Sequence, residues 1–266
     1  MQRFFLSRTG HIDGEHILIT GDDARHIAKS LRMAVSDTVI VCDMQKNEYR
    51  CEIERFEDEN VVLKIVGTGK NDTEPTYRAH LYQALPKGDK FDTVVQKAVE
   101  LGVWRIVPFV SERCIAREVG ANKLTRWRRI AKEAATQCGR GAVPEVTEPV
   151  SYREALAECA RQSPGFLCYE GDGTLPLGRV LSRCAPDGEI GFLIGSEGGF
   201  SLKEVEEAEF FGLWKAGLGK RILRCETASG FVLSALVYRL ELGEGEVPAA
   251  PHDAQSPIGY SQTKTL

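Results

Sequence analysis

The stretch "LIGSEGGFSLKEVEE", residues 193–207, decides the fold class. It begins in an apolar run, "EIGFLIG" at 189–195, whose length and bulk suit a strand buried on both faces. A glycine-rich turn follows, and then a helix opens. Ser201 with Glu204 has the spacing of a capping box. Leu202, Val205, Ala208 and Phe211 recur at helical spacing, and Gly212 closes the segment. Strand, glycine turn, helix is the layout of a ligand loop. The glycines at 195, 198 and 199 do not fit G-x-G-x-x-G, and no Lys follows Gly199 as a phosphate-binding P-loop requires. Glu197 would also repel phosphate. The alternative is a tight turn that uses glycine only for its backbone freedom.

The surrounding chain repeats the same rhythm. From residue 79, strands at 79–86, 105–110, 165–170, 189–195 and 213–219 alternate with helices at 90–101, 121–138, 152–162, 175–184 and 202–211, and a last helix covers 229–241. Repeated βα units predict a parallel sheet with helices packed on it. A second loop, "GLGKRILRCETASG" at 217–230, leaves the same sheet edge as the glycine turn. Two loops at the C-terminal ends of neighbouring parallel strands frame a crevice. This one combines glycine backbone, apolar Leu218, Ile222 and Leu223, and carboxylates, so it suits a flat, partly apolar and cationic ligand.

The first 70 residues differ. "DDARHIAKSLRM" at 22–33 reads as a short helix with Asp22 or Asp23 as N-cap. The β-rich runs 38–43, 48–54 and 60–66 read as an antiparallel meander closing into a small barrel. Residues 67–76 read as a linker. The division expected is 1–70, 71–242 and a polar, proline-containing tail at 243–266 that is disordered.

Composition sets bounds on function. The 266 residues are 42% hydrophobic and 27% charged, with net charge −4, so a protein basic over its whole surface is excluded. RNA contact has to use local patches. The helix at 121–138 and its end gather Lys123, Arg126, Arg128, Arg129, Lys132 and Arg140; Arg3, Arg8, Arg25, His26, Lys29 and Arg32 form a second group. Either group also fits a merely solvated face. The eight cysteines show no C-x2-C or C-x4-C pair and the five histidines no H-x3-H pair, so no metal site is expected and reduced, buried thiols are. No apolar run reaches membrane-spanning length, and the N-terminus lacks a secretory core; a cytoplasmic protein without membrane contact is expected.

"LIGSEGGFS" followed by "LGKRILRCETA" resembles the RsmE family of 16S ribosomal RNA uridine methyltransferases, of the SPOUT class. "RFF" at 3–5, "HIAKSLRM" at 26–33, "KGDKFDTVVQKAVELGV" at 87–103, "PFVSERC" at 108–114 and "EAATQCGR" at 133–140 extend the resemblance over nearly the whole chain. The family usually has proline where Ser196 stands. The resemblance implies an α/β fold: a SPOUT-type parallel sheet with a C-terminal trefoil knot and a small N-terminal PUA-like β-barrel. It implies S-adenosyl-L-methionine as methyl donor, 16S rRNA or the small ribosomal subunit as partner, N3-methyluridine as product, and a homodimer with shared sites.

Within that frame the donor falls to Leu193, Ile194, Gly195, Glu197, Gly198, Gly199, Leu218, Gly219, Ile222, Leu223 and Ala228. Uridine N3 is a poor nucleophile until its proton leaves, so the site needs a base or a cation that stabilises the anion. Arg224 is the candidate cation. Glu226 is the candidate base or the group that orients Arg224, and a structural ion pair between the two across the dimer interface is the rival. Arg3, Arg8, His26, Arg32, Gln137 and Arg140 are the candidate RNA contacts. A non-enzymatic RNA-binding or ribosome-assembly protein is the alternative function. A nucleotide-dependent oxidoreductase fails for want of its glycine motif.

Overall fold

The computed structural model describes residues 1–6 and 11–243. Arg8 and residues 244–266 of the expected tail lie outside the described residues.

The N-terminal sheet has six strands: β1 (Gln2–Phe5), β2 (His11–Asp13), β3 (His16–Ile19), β4 (Thr38–Cys42), β5 (Asn47–Glu57) and β6 (Asn60–Lys70), in the order β1-β4-β5-β6-β3-β2. Only the β1–β4 pair is parallel. Phe4, Ile17, Ile27, Val39, Val41 and Leu63 form its core. The meander β4-β5-β6 is as expected. Strands β1 to β3, of three or four residues, are too short for alternation to register in the sequence; the β2–β3 hairpin turns at Gly14-Glu15, with Gly14 at φ 57°. β6 also takes in 67–70, which were read as linker: Gly67 and Gly69 stand across from Arg50 and Glu48 in the ladder. The expected helix at 22–33 is one turn, α1 (Gly21–Arg25), continued as a π turn over His26–Ser30, and its N-cap is Thr20.

The second sheet is wholly parallel. Its strands are β7 (Arg78–Ala84), β8 (Arg105–Val110), β9 (Glu145–Val146), β10 (Val150–Ser151), β11 (Gly165–Cys168), β12 (Leu175–Pro176), β13 (Glu189–Ile194) and β14 (Trp214–Gly217). The order is β10-β8-β7-β13-β11-β14-β12, with β9 beside β8. β13, the run that opened the reading, is central and buried along Ile190–Ile194. Central position on both sides is why it reads as a continuous apolar run and not an alternating one.

The helices are α2 (Lys90–Glu100), α3 (Ala121–Cys138), α4 (Tyr152–Cys159), α5 (Leu177–Leu181), α6 (Leu202–Phe210) and α7 (Cys225–Val237). α2 buries Phe91, Val94, Val95, Ala98 and Val99, and α3 buries Leu124, Trp127, Ala131, Ala134 and Ala135, each at helical spacing. The two faces meet through Phe91 and Trp127, whose ring centroids lie 4.1 Å apart. α3 stops at Gly139, whose φ of 81° closes the helix in the left-handed region. α7 starts at Cys225, earlier than the 229 expected, because the Arg224 carbonyl already accepts from the N–H groups of Thr227 and Ala228.

Candidate active site

The C-terminal ends of β11, β13 and β14 open into one cleft, closed on a further side by the start of α7. Ile194, Gly195, Glu197, Gly199, Leu218, Gly219, Ile222, Leu223 and Ala228 line it, as the sequence reading expects. Leu193 does not. It is fully buried inside β13, paired with Leu167 and Tyr82, and belongs to the core. Gly198 faces away from the cleft: its carbonyl accepts from Arg113 Nη1 at 2.8 Å. Sequence reasoning missed Cys168, Tyr169, Glu170, Ser196, Phe200, Arg221 and Cys225. Cys168 ends β11 and Tyr169 and Glu170 follow it, so the sheet-edge argument already applied to the other two loops would have found them.

The turn after β13 is fixed from several sides. Gly199 donates its N–H to the Ser196 carbonyl at 3.0 Å, with Gly199 at φ 63°. That left-handed φ is what calls for glycine; the Glu170 carboxylate, 2.7 Å from where a Cβ would stand, is exposed and can turn aside. The expected capping box is present: Ser201 Oγ accepts from Glu204 N at 3.3 Å, and Glu204 Oε2 accepts from Ser201 N at 2.9 Å. Glu112, in the loop after β8, adds its N–H to Glu204 Oε1 and accepts from Ser201 Oγ, both at 2.8 Å.

Glu197 turns towards the segment after β7. It accepts from the Lys87 N–H at 3.2 Å and from Lys90 Nζ at 2.5 Å. Partial burial pushes its carboxyl up, but the Lys90 ammonium and the backbone N–H groups outweigh this and hold it below the usual carboxylate range. The carboxylate that seemed misplaced in a ligand loop is therefore a tie between two loops.

Arg224 is exposed at the N-cap of α7 and makes no side-chain ion pair among the described residues. Within one chain Arg224 and Glu226 form no ion pair. Glu226 accepts from Cys225 Sγ at 3.2 Å. Burial raises its pKa, yet its own backbone N–H in the first turn of α7, the thiol, and the charges of Lys90 and Arg224 hold it below the ordinary value. Burial, with Glu226 and Glu197 beside it, pushes the Cys225 thiol up to about 12, so it is not a nucleophile.

The candidate RNA contacts are not brought together. Arg140 is corrected outright: it is 4% exposed, pairs with Glu74 at 2.7 Å and donates to the carbonyls of Val99 and Val103. Arg3 is held in its own domain by Glu48 and Cys42 Sγ, both at 2.8 Å. His26, Arg32 and Gln137 are exposed. The basic face of α3 is matched by acids: Arg126 meets Asp92, Arg128 Glu148 and Lys132 Asp23 from elsewhere in the chain, Arg129 meets Glu133 one turn along the same helix, and Lys123 donates to the Gly88 carbonyl. Among the described residues no group of acids, histidines and cysteines is arranged to hold a metal, and no helix is long and apolar enough to cross a membrane.

Comparison with known proteins agrees with this geometry. A family described as RNA methyltransferase domain matches residues 73–237, and one described as RNA methyltransferase PUA domain matches 19–66. Ribosomal RNA small subunit methyltransferase E of Bacillus subtilis is 31% identical over 255 residues, covering 92% of this chain and all of the relative. The crystal structure of ribosomal RNA small subunit methyltransferase E from Neisseria gonorrhoeae bound to S-adenosyl methionine superposes with a TM-score of 0.78 at 31% identity, over 90% of this chain and 98% of that one. A putative methyltransferase from Legionella pneumophila with bound SAM gives 0.78 at 27%, over 89% and 97%. With both domain types matched in order, and a relative of this similarity aligned end to end, the chain belongs to the RNA methyltransferase family, in its RsmE branch.

Proposed function

We propose that the protein methylates N3 of a uridine in the 16S RNA of the small ribosomal subunit, with S-adenosylmethionine as donor. The observation that carries this reading is one cleft with two unlike ends. Its inner end is apolar and glycine-floored, with Ile194, Phe200 and Ala228 buried; at its rim Arg224 stands exposed at the N-cap of α7, between the lining residues Leu223 and Cys225 and without an ion pair among the described residues. The residues fit the donor: the close backbone of Gly195 and Gly199 admits a flat ring, and Leu218 and Leu223 flank it. When bound, S-adenosylmethionine supplies an electrophilic methyl group on a sulfonium.

The chain's own part is to prepare the acceptor. Arg224 stabilises negative charge on the uridine oxygens as the N3 proton leaves. Glu226, held below the usual carboxylate range, is a weak proton acceptor at neutral pH and serves better to orient Arg224. The lysine–carboxylate tie between Lys90 and Glu197 keeps the donor turn in register with the segment after β7.

The same reading extends to the whole chain. The N-terminal sheet, residues 1–70, is a PUA-like barrel that holds RNA, and 71–242 is the catalytic unit. The catalytic part is threaded as a trefoil knot. Supporting this, β13 lies between β7 and β11, and the chain passes out to β14 before α7 returns against β7 and β13. Two copies share each site, consistent with Ile222 at the cleft lip being 86% exposed and Phe231 and Tyr238 being 44% and 69% exposed. The protein acts in the cytoplasm. Calorimetric titration with S-adenosylmethionine tests the enzyme reading: saturable binding is expected, and no binding at millimolar ligand contradicts it, leaving an RNA-binding assembly protein.

A further inference from the structure

We propose that the Ser196 hydroxyl is a donor-recognition group, hydrogen-bonding the nucleoside half of S-adenosylmethionine at the inner end of the cleft. The inference rests on the reading of this cleft as the donor site. Ser196 is 7% exposed, and its Oγ has no hydrogen-bond partner. A buried hydroxyl without a partner carries a desolvation cost, and native proteins leave few such groups. The side chain of Gln83 does not relieve it. Gln83, fully buried under the turn, gives its Nε2 to the carbonyls of Gly195 and Ala84, at 3.3 and 3.1 Å, and its own Oε1 is also unpartnered. The Ser196 carbonyl is already engaged by Gly199 N, so the backbone is fixed and only the hydroxyl is left free to turn.

The surroundings say which part of the donor meets it. Beside Ser196 the lining is buried and apolar: Ile194 at 2%, Phe200 at 2% and Ala228 at 7% exposure. The solvent-facing rim of the same cleft carries Glu170 and Arg221, both exposed and neither hydrogen-bonded nor ion-paired through its side chain among the described residues. A zwitterionic amino-acid end belongs with the two opposite charges in water. A flat, weakly polar purine nucleoside belongs with the apolar walls, where one hydroxyl, able both to donate and to accept, matches an edge nitrogen or a ribose oxygen. A proline at this position offers no such group.

The test compares wild type, Ser196→Ala and Ser196→Thr. Calorimetry gives affinities for S-adenosylmethionine and for 5′-methylthioadenosine, which lacks the amino-acid end, and thermal melting is followed without ligand. Ser196→Ala is expected to bind both ligands about tenfold more weakly, the effect of one net hydrogen bond. Ser196→Thr should retain affinity. The ligand-free Ser196→Ala protein should melt no lower than wild type, because it loses an unsatisfied group. Unchanged affinities, a loss confined to S-adenosylmethionine, or a lower melting point overturns the proposal; the last would mean that the hydroxyl is satisfied inside the protein. Failure of the wild type to bind either ligand overturns the donor-site reading itself, a result distinct from all of these.

Discussion

At the scale of single residues, the charges around the cleft separate into those that are spoken for and those that are free. Glu197 is held by Lys90 and the Lys87 N–H, and Glu204 by Glu112 and Ser201; Arg224, Arg221 and Glu170 have no such partners. A free cation beside a substrate site, held on a rigid helix start, is placed to stabilise developing charge. Arg224→Ala is therefore expected to lower kcat for methyl transfer by about 100-fold or more while the melting temperature stays that of wild type. An unchanged kcat would remove Arg224 from the mechanism. Glu226→Gln should cost less than Arg224→Ala and leave the acid limb of the pH–rate profile in place, since a carboxylate held below its ordinary range is not the titrating base. Loss of that limb in Glu226→Gln would restore Glu226 as base.

At the scale of elements, what was legible is what is local. The capping box of α6, the apolar stripes of α2 and α3 and the buried run of β13 each depend on residues a few positions apart, and each is found where the spacing put it. Ser201→Ala removes an N-cap and also the hydroxyl that meets Glu112, so it should cost about 1–2 kcal/mol in denaturant unfolding. What was not legible is pairing at long range. The basic stretch on α3 reads as a nucleic-acid surface until Asp92, Glu148 and Asp23 are seen to answer it from elsewhere. Arg140 is the sharpest case: at the end of a basic helix it looks like an RNA contact, yet with Glu74 it forms a buried pair that holds the segment before β7 against the body. Arg140→Ala leaves the buried Glu74 carboxylate without its cation, held only by the Gly141 and Ala142 N–H groups, and should destabilise the protein by about 3–5 kcal/mol. A variant that stays fully stable and loses only RNA affinity would reinstate the original reading.

At the scale of the whole molecule, the two sheets have separate cores, and the parallel one places its chemistry-bearing loops, by topology alone, at one edge. The opposite edge has its own feature. His80, buried in β7 with neither ring nitrogen hydrogen-bonded, is pushed below the ordinary histidine range by that burial; Glu189 and Glu158 oppose the shift while Arg105 and Arg78 add to it. The fold thus prefers neutral His80, whereas the unfolded chain takes up a proton below a pH of about 6.5. Stability should fall as pH drops from about 6.5 towards the carboxylate range, and His80→Gln should flatten that slope in denaturant midpoints measured against pH. Equal slopes would show that His80 is not the group responsible. Light scattering should give twice the chain mass, with the exposed Ile222, Phe231 and Tyr238 covered. Neither assembly nor substrate is written in local sequence pattern, because both depend on surfaces that complete themselves only against another molecule.

The measurement that bears most directly on the central claim is nucleoside mass spectrometry of small-subunit ribosomal RNA, from cells with and without the gene and after incubation with the purified protein and S-adenosylmethionine. The account predicts one N3-methyluridine that is absent without the gene and restored by the wild-type protein but not by Arg224→Ala. Identical N3-methyluridine content with and without the gene, or restoration by Arg224→Ala at the wild-type rate, would contradict it.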